Sequence, residues 1–192
     1  MTASRFSPRP AIAFSGTMLA LAALACHLDI GGPEPPGPPI QVSTEAANEL
    51  QHIWQSVVAN AAGGEIALII DEQQLTSLLA MQLQTHEKPL MREPQVFLRQ
   101  GFLQLYGVTD RGPFRATFLL AIQPVIDADG DLEFEITSAD FGPLLAPQGL
   151  KSALSTILTE ALTGSLGSFA SGIRISSIAI VDGQMAIIAR VR

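Results

Sequence analysis

Histidine side chains are the first candidates for acid–base or metal chemistry in this chain, and there are three of them, His27, His52 and His86. They lie far apart and have no metal-binding spacing such as His-Glu-x-x-His. The chain also has no Gly-x-Ser-x-Gly elbow that would carry a serine nucleophile. We therefore expect all three histidines to be solvated surface residues. The sequence predicts a protein that is not an enzyme and has no cofactor.

Acidic residues cluster in the run Asp127 to Asp131, which reads Asp-Ala-Asp-Gly-Asp. A calcium loop of the EF-hand type needs a bidentate glutamate at its twelfth position, and Ser138 stands there. Asp and Gly are also the residues that a tight turn between two strands requires. The run predicts a hairpin turn and no metal site. Glu133 and Glu135 alternate with apolar residues and are expected on the solvent side of the following strand.

The only cysteine, Cys26, follows fifteen mostly apolar residues, Ala11 to Ala25. Two arginines, Arg5 and Arg9, precede that run. A basic start, a short apolar core and a small residue before the cut are typical of a secretory signal, here residues 1–25. The run falls short of the about 20 apolar residues that a membrane-spanning helix needs.

The stretch Leu21-Ala22-Ala23-Leu24-Ala25-Cys26 resembles a bacterial lipobox, although Ala23 stands where leucine is preferred. The resemblance implies that Cys26 receives a diacylglyceryl group and becomes the first residue of the mature chain. Each buried methylene of a lipid contributes about 0.8 kcal/mol, so several acyl chains would hold the protein at a membrane. We expect an exported protein that is lipid-anchored to the cell membrane or envelope. The alternative is a soluble exported protein with a free thiol.

Charge and composition describe the rest of the mature chain. After residues 1–25 are removed, nine basic residues face eighteen acidic ones, and no basic run is present. A nucleic-acid partner is therefore not expected. Residues 31–39 consist of Gly, Pro and one Glu, a composition that favours an extended spacer. The sequence predicts a Pro/Gly-rich tether over residues 26–42 and a single domain over 43–192.

Apolar periodicity indicates the elements of that domain. A first amphipathic helix is expected over residues 44–62 and a strand over 65–70. Asp71 and Gln74 form a capping-box pattern that begins a second helix. The period changes to two between Gln95 and Phe141, which indicates an antiparallel meander. A third helix is expected after Pro147, and a closing hairpin around residues 182–183, so the fold class is α+β.

Residues 64–75, with the later motifs Val96 to Gly101, Ile122 to Val125 and Gly142 to Pro147, resemble the YpmS-like envelope proteins and, more loosely, the LmeA-like phospholipid-binding proteins. Those families look like one-domain relatives of the tubular lipid-binding architecture. The resemblance implies a curved antiparallel sheet of about six or seven strands, packed with three amphipathic helices, around an apolar groove.

The strands over residues 66–70 and 118–122 are apolar on both faces, so both faces need a covering layer. That layer could be protein or a bound acyl chain. The leading hypothesis is a domain that binds a lipid or other hydrophobic ligand, and the alternative is a ligand-free scaffold or interaction module that meets an envelope protein. The predicted ligand-lining residues are Leu75, Leu78, Leu79, Phe118, Leu120, Leu154, Ile157 and Leu158.

Overall fold

A computed structural model describes residues 28–60, 64–84, 91–111, 114–128, 130–143, 155 and 173–191. Within these ranges the chain forms two helices and eight strands. In chain order they are β1 (Leu28–Asp29), α1 (Thr44–Asn60), β2 (Glu65–Asp71), α2 (Glu72–Gln84), β3 (Arg92–Arg99), β4 (Phe102–Arg111), β5 (Phe114–Ile126), β6 (Leu132–Asp140), β7 (Ile173–Val181) and β8 (Gln184–Val191).

Both helices begin at the caps that the sequence predicts. The Oγ of Ser43 accepts a hydrogen bond from the N–H of Ala46 at 3.3 Å and caps α1. Asp71 and Gln74 form a reciprocal capping box at the start of α2, because Asp71 Oδ1 accepts from the Gln74 N–H at 2.7 Å and Gln74 Oε1 accepts from the Asp71 N–H at 3.1 Å. The capping-box prediction is confirmed, and the helix that it begins buries the four leucines expected on its apolar face, Leu75, Leu78, Leu79 and Leu83.

Strands β3 to β6 form the predicted antiparallel meander, in which each strand pairs with the next. Gln100 and Gly101, with φ of 53° and 84°, make the β3–β4 turn. Strand β1 adds to the edge of β5 in parallel. We call β1 and β3–β6 the meander sheet. Strands β2, β8 and β7 form a separate second sheet, in that order.

The expectation of one curved sheet is therefore corrected to two sheets. The outer edge of β3 is closed by α2, because the N–H of Val96 donates to Thr76 Oγ1 at 3.0 Å and that of Leu98 donates to Glu72 Oε1 at 2.7 Å. A strand edge whose N–H groups are already bonded does not accept a further strand. Strand β2 consequently pairs with β8.

The described ranges contain two helices where three are predicted. The third, over residues 147–166, lies outside the described residues apart from Ser155, whose Oγ donates to the carbonyl oxygen of Phe134 at 3.1 Å. One hydrophobic core joins both helices and both sheets, with members such as Trp54, Leu68 and Ile187. The two sheets and the helices therefore fold around a shared interior.

Candidate functional site

Five of the predicted ligand-lining residues lie together in this core. Leu75, Leu78 and Leu79 come from α2, Phe118 and Leu120 come from β5, and each is at most 3 % exposed. All five belong to the same hydrophobic cluster. The other predicted lining residues and the predicted acylation site lie outside the described residues: Leu154, Ile157, Leu158 and Cys26.

The surroundings of Phe118 show how closely the core is packed. Its ring stacks on Phe141 with centroids 5.5 Å apart and an interplanar angle of 29°. On the neighbouring strand, a Cβ added to Gly107 would lie 2.9 Å from the Phe118 Cζ and 3.2 Å from the Met91 Sδ. Position 107 therefore has no room even for a methyl group, as expected in a close-packed protein interior. In the described part of the chain, the predicted lining residues leave almost no free surface for a ligand to contact.

The Pro/Gly-rich residues 28–42, expected as a tether, lie against the meander sheet. We call them the N-terminal segment. The N–H of Ile30 donates to the carbonyl of Arg115 at 2.9 Å, and the N–H of Thr117 donates to the carbonyl of Gly31 at 3.2 Å. Gly32 follows so closely that a Cβ there would collide with the backbone oxygen of Thr117. The segment therefore starts as a short strand that pairs with β5 in the meander sheet.

The same segment ends on the opposite side of the sheet, at β3. The side-chain amide of Gln95 bonds both backbone groups of Ile40, accepting from its N–H at 2.5 Å and donating to its carbonyl at 3.1 Å. The N–H of Ser43 then donates to Ser77 Oγ at 3.0 Å on α2. Because the segment begins beside β5 and ends beside β3, it crosses β4, which lies between them.

Two aromatic rings lie under this crossing. Phe97 of β3 and Tyr106 of β4 meet edge to face, with centroids 5.8 Å apart, and they are 2 % and 6 % exposed. A Cβ on Gly37 would lie 3.6 Å from the Phe97 ring, and the Arg99 guanidinium lies 5.7 Å from its centroid. Burial raises the pKa of the Tyr106 phenol. The N-terminal segment is thus the second layer over the meander sheet.

Strand β2 does not receive such a layer. Ile66, Leu68 and Ile70 face the core, but Ala67 is exposed and Ile69 is 60 % exposed. The expectation that both faces of this strand are covered is wrong. Only the inner face of β2 is covered, because the helices and the meander sheet all pack on that side.

The outer face of the second sheet is consequently open, and its centre is apolar, with the polar residues Asp71 and Gln184 in the same row as Val181. Ile69 pairs with Ala186, which pairs in turn with Ala179. Val181, at the end of β7, is 63 % exposed. The ion pair between Glu65 and Arg190 borders the face at one end. Exposed apolar side chains that lie next to one another are typical of a contact surface for another molecule.

Titratable groups offer little chemistry in the described residues. His52 is exposed on α1, as expected, while His27 and His86 lie outside those residues. The run from Asp127 forms the predicted turn, in which Asp127 Oδ1 accepts from the Asp131 N–H at 2.8 Å. Among the described residues, no three His, Cys, Asp or Glu side chains are grouped to hold a metal ion.

The end of the meander sheet next to β1 carries two ion pairs and one exposed ring. Arg92 pairs with Asp110, and Arg115 pairs with Glu93. Phe114, at the start of β5, is 42 % exposed. We call this region the β4–β5 end. The sequence gives no sign that this end lies close to the start of the N-terminal segment, because the two are brought together only by the pairing of β1 with β5.

In the part of the chain that the structure describes, no helix combines the length and apolarity needed to cross a bilayer. No protein-family model matches the chain, and no curated protein matches it significantly. The resemblance to YpmS-like and LmeA-like proteins thus stays a prediction from the residue patterns quoted above.

Proposed function

We propose that this chain is an exported lipoprotein, acylated at Cys26, whose α+β domain acts as a protein-interaction module at the membrane or envelope surface. The observation that carries the interaction role is the outer face of the second sheet. Ile69 and Val181 are 60 % and 63 % exposed there, and they lie around a surface of small apolar side chains. A partner that covers these side chains removes apolar surface from water, which favours association.

The packing of the core supports an interaction module over a lipid carrier. A groove for an acyl chain needs apolar side chains with free surface, and Leu75, Leu79, Phe118 and Leu120 have almost none. A carrier would need these residues to separate before a ligand could reach them. Lipid binding in an apolar groove therefore remains the alternative to the proposed function.

The anchor is tested by feeding an alkyne fatty acid to bacteria that produce the full chain. We expect the label on the wild-type protein and none on a Cys26→Ala variant, because that residue is the only thiol available for acylation. Native mass spectrometry of the labelled protein then separates the two domain functions. A non-covalent lipid retained in stoichiometric amount would support the carrier, and its absence would support the interaction module.

The interaction surface is tested by photocrosslinking in the cell. A photoreactive phenylalanine replaces Ile69 on the outer face of the second sheet, and the matched control replaces Gln51, an exposed polar residue of α1. We expect a discrete crosslinked product from position 69 and none from position 51. Absence of crosslinks from position 69, or equal crosslinking from both positions, would contradict the proposal.

A further inference from the structure

We propose that the β4–β5 end of the meander sheet docks on the lipid surface, with Phe114 in contact with the headgroup region. The inference rests on the proposed acylation of Cys26 and adds an orientation to it. A long flexible tether would leave the domain free to rotate above the membrane. The N-terminal segment does not act as such a tether, because its hydrogen bonds to β5 begin at Ile30, directly after β1.

The pairing of β1 limits how far Phe114 lies from the acylated residue. Leu28 is the register partner of Phe114, and paired strands lie about 4.8 Å apart. Two residues of extended chain between Cys26 and Leu28 span at most about 7 Å. The α-carbons of Cys26 and Phe114 are therefore within about 12 Å of each other. If acyl chains enter the bilayer at Cys26, Phe114 is held at its surface.

The chemistry of the β4–β5 end suits contact with lipid. Phe114 is 42 % exposed, and an aromatic ring is favourable at the boundary between headgroups and acyl chains. Two ion pairs lie near it, Arg92 with Asp110 and Arg115 with Glu93. With Arg111 and Asp29, which are also at this end of their strands, the positive and negative charges are equal in number. This end therefore brings no unbalanced negative charge to an anionic lipid surface.

The opposite end of the meander sheet is acidic. The β5–β6 turn carries Asp127 and Asp131, and Arg174 of β7 lies beside it at Gly130. Strand β5 has 13 residues, so this turn lies roughly 40 Å from Phe114 along the strand. That distance is several Debye lengths at physiological ionic strength, so the aspartates are not repelled by the bilayer when the β4–β5 end faces it. The charge distribution and the anchor position thus favour the same orientation.

The test measures tryptophan fluorescence of the acylated full-length protein in vesicles of phosphatidylcholine and phosphatidylglycerol that contain dibrominated phosphatidylcholine. The probe variant is Phe114→Trp. The matched control is Val181→Trp, because Val181 is also exposed but lies far from the β4–β5 end. Val181 adjoins the β7–β8 turn, in which the Gly183 N–H donates to the carbonyl oxygen of Leu98. Leu98 lies level with Ile122, roughly 27 Å along β5 from Phe114.

We expect the Phe114→Trp probe to lose intensity to the brominated lipid and to shift its emission to the blue relative to the same protein in detergent-free buffer without vesicles. The Val181→Trp probe should show neither change. The wild-type protein supplies the background, because its single tryptophan, Trp54, is 3 % exposed in the core. Quenching at neither position, or equal quenching at both, would overturn the proposed orientation.

Flotation of the vesicles separates this inference from the proposed function. If the protein floats, Cys26→Ala does not, and the Phe114→Trp probe is not quenched, then the anchor stands and the orientation is wrong. If the wild-type protein carries no acyl mass and does not float, the anchor itself fails and the orientation falls with it. Amide hydrogen exchange gives a second measurement that needs no tryptophan probe. Slower exchange at Arg115 and Thr117 in the vesicle-bound wild-type protein than in the Cys26→Ala protein would support the orientation.

Discussion

The bond between Gln95 and the N-terminal segment offers a sharp test of the segment's position. Gln95 uses both its amide N–H and its amide oxygen on Ile40. A Gln95→Glu substitution keeps the size and shape of the side chain but removes the donor and places a carboxylate oxygen next to the Ile40 carbonyl. One lost hydrogen bond and one unsatisfied, part-buried carbonyl cost together about 2 kcal/mol of unfolding free energy. The matched control is Gln104→Glu in β4, because Gln104 lies on the same face of the sheet as Gln95.

Two native chromophores separate release of the segment from global unfolding. The only tyrosine, Tyr106, lies under the segment, and the only tryptophan, Trp54, lies in the core. Burial raises the pKa of the Tyr106 phenol above its usual value of 10.0. The neutral phenol is therefore favoured by folding, and its contribution to stability is lost as pH rises through the raised pKa. If the segment lifts in Gln95→Glu, the phenol of Tyr106 gains solvent and the burial that raises its pKa is lost. The new carboxylate acts in the opposite direction, because residue 95 is the register partner of Tyr106 and a nearby negative charge raises the pKa of a phenol. The comparison therefore needs a control that carries a similar charge.

The assay follows tyrosinate absorbance against pH, together with urea unfolding monitored by Trp54 fluorescence. We expect Gln95→Glu to lower the free energy of unfolding and Gln104→Glu to leave it unchanged. Both variants place a carboxylate on the face of Tyr106, so we expect the pKa of Tyr106 to be lower in Gln95→Glu, where the segment is released, than in Gln104→Glu. The loss of stability should fade near pH 4, where the glutamic acid is protonated and can again donate to Ile40. A pKa of Tyr106 that is no lower in Gln95→Glu than in Gln104→Glu, or an ordinary pKa in the wild type, would refute the position assigned to the segment.

Three further substitutions test the packing and the edges, and all are measured by urea unfolding. Thr76→Val should cost about 1–3 kcal/mol, because it leaves the buried N–H of Val96 without an acceptor, whereas Thr76→Ser should keep most of the stability. Gly107→Ala should cost about 1–3 kcal/mol, because its Cβ would press on an aromatic ring of β5, and Gly64→Ala, which meets no atom within 4 Å, is the control. Asp71→Ala should cost about 1 kcal/mol through loss of the helix cap; a cost equal to that of Gly64→Ala would contradict the role given to that cap.

Local signals in the sequence were sufficient for most of the elements. The capping box at Asp71 depends on two residues three positions apart, and the β3–β4 turn depends on Gln100 and Gly101 alone. Strand β5 forms over residues 114–126, the long strand that alternation predicts. Such features are set by contacts between near neighbours, so composition and periodicity suffice to find them.

The division into two sheets and the place of the N-terminal segment depend on distant partners. The ion pair of Glu65 with Arg190, which marks the β2–β8 pairing, joins residues 125 positions apart. The Pro- and Gly-rich segment has no periodicity of its own, so nothing local indicates a docking face. One signal was present, because Phe97 lies between Val96 and Leu98 and makes β3 apolar on both sides. That pattern indicates a second layer over β3, but it does not identify which residues form the layer.

The predicted ligand-lining residues show the same limit at the level of function. Leu75 and Phe118 were chosen because they are apolar and lie on inward faces, and both are indeed in the interior. A groove and a filled core require the same residue types at the same positions. What distinguishes them is how the two helices and two sheets close on one another, which is a property of the tertiary packing.

The bonds of the N-terminal segment also set the earliest point in biosynthesis at which this segment can dock. The hydrogen bonds between Ile40 and Gln95 cannot form until Gln95, which is 55 residues later in the chain, has been synthesised. At a synthesis rate of about 5–20 residues per second, that interval is roughly 3 to 11 s. During this time the N-terminal segment has no sheet to join. The second sheet must wait longer still, because Arg190 lies 125 residues after Glu65, so docking of the segment can precede the pairing of β2 with β8.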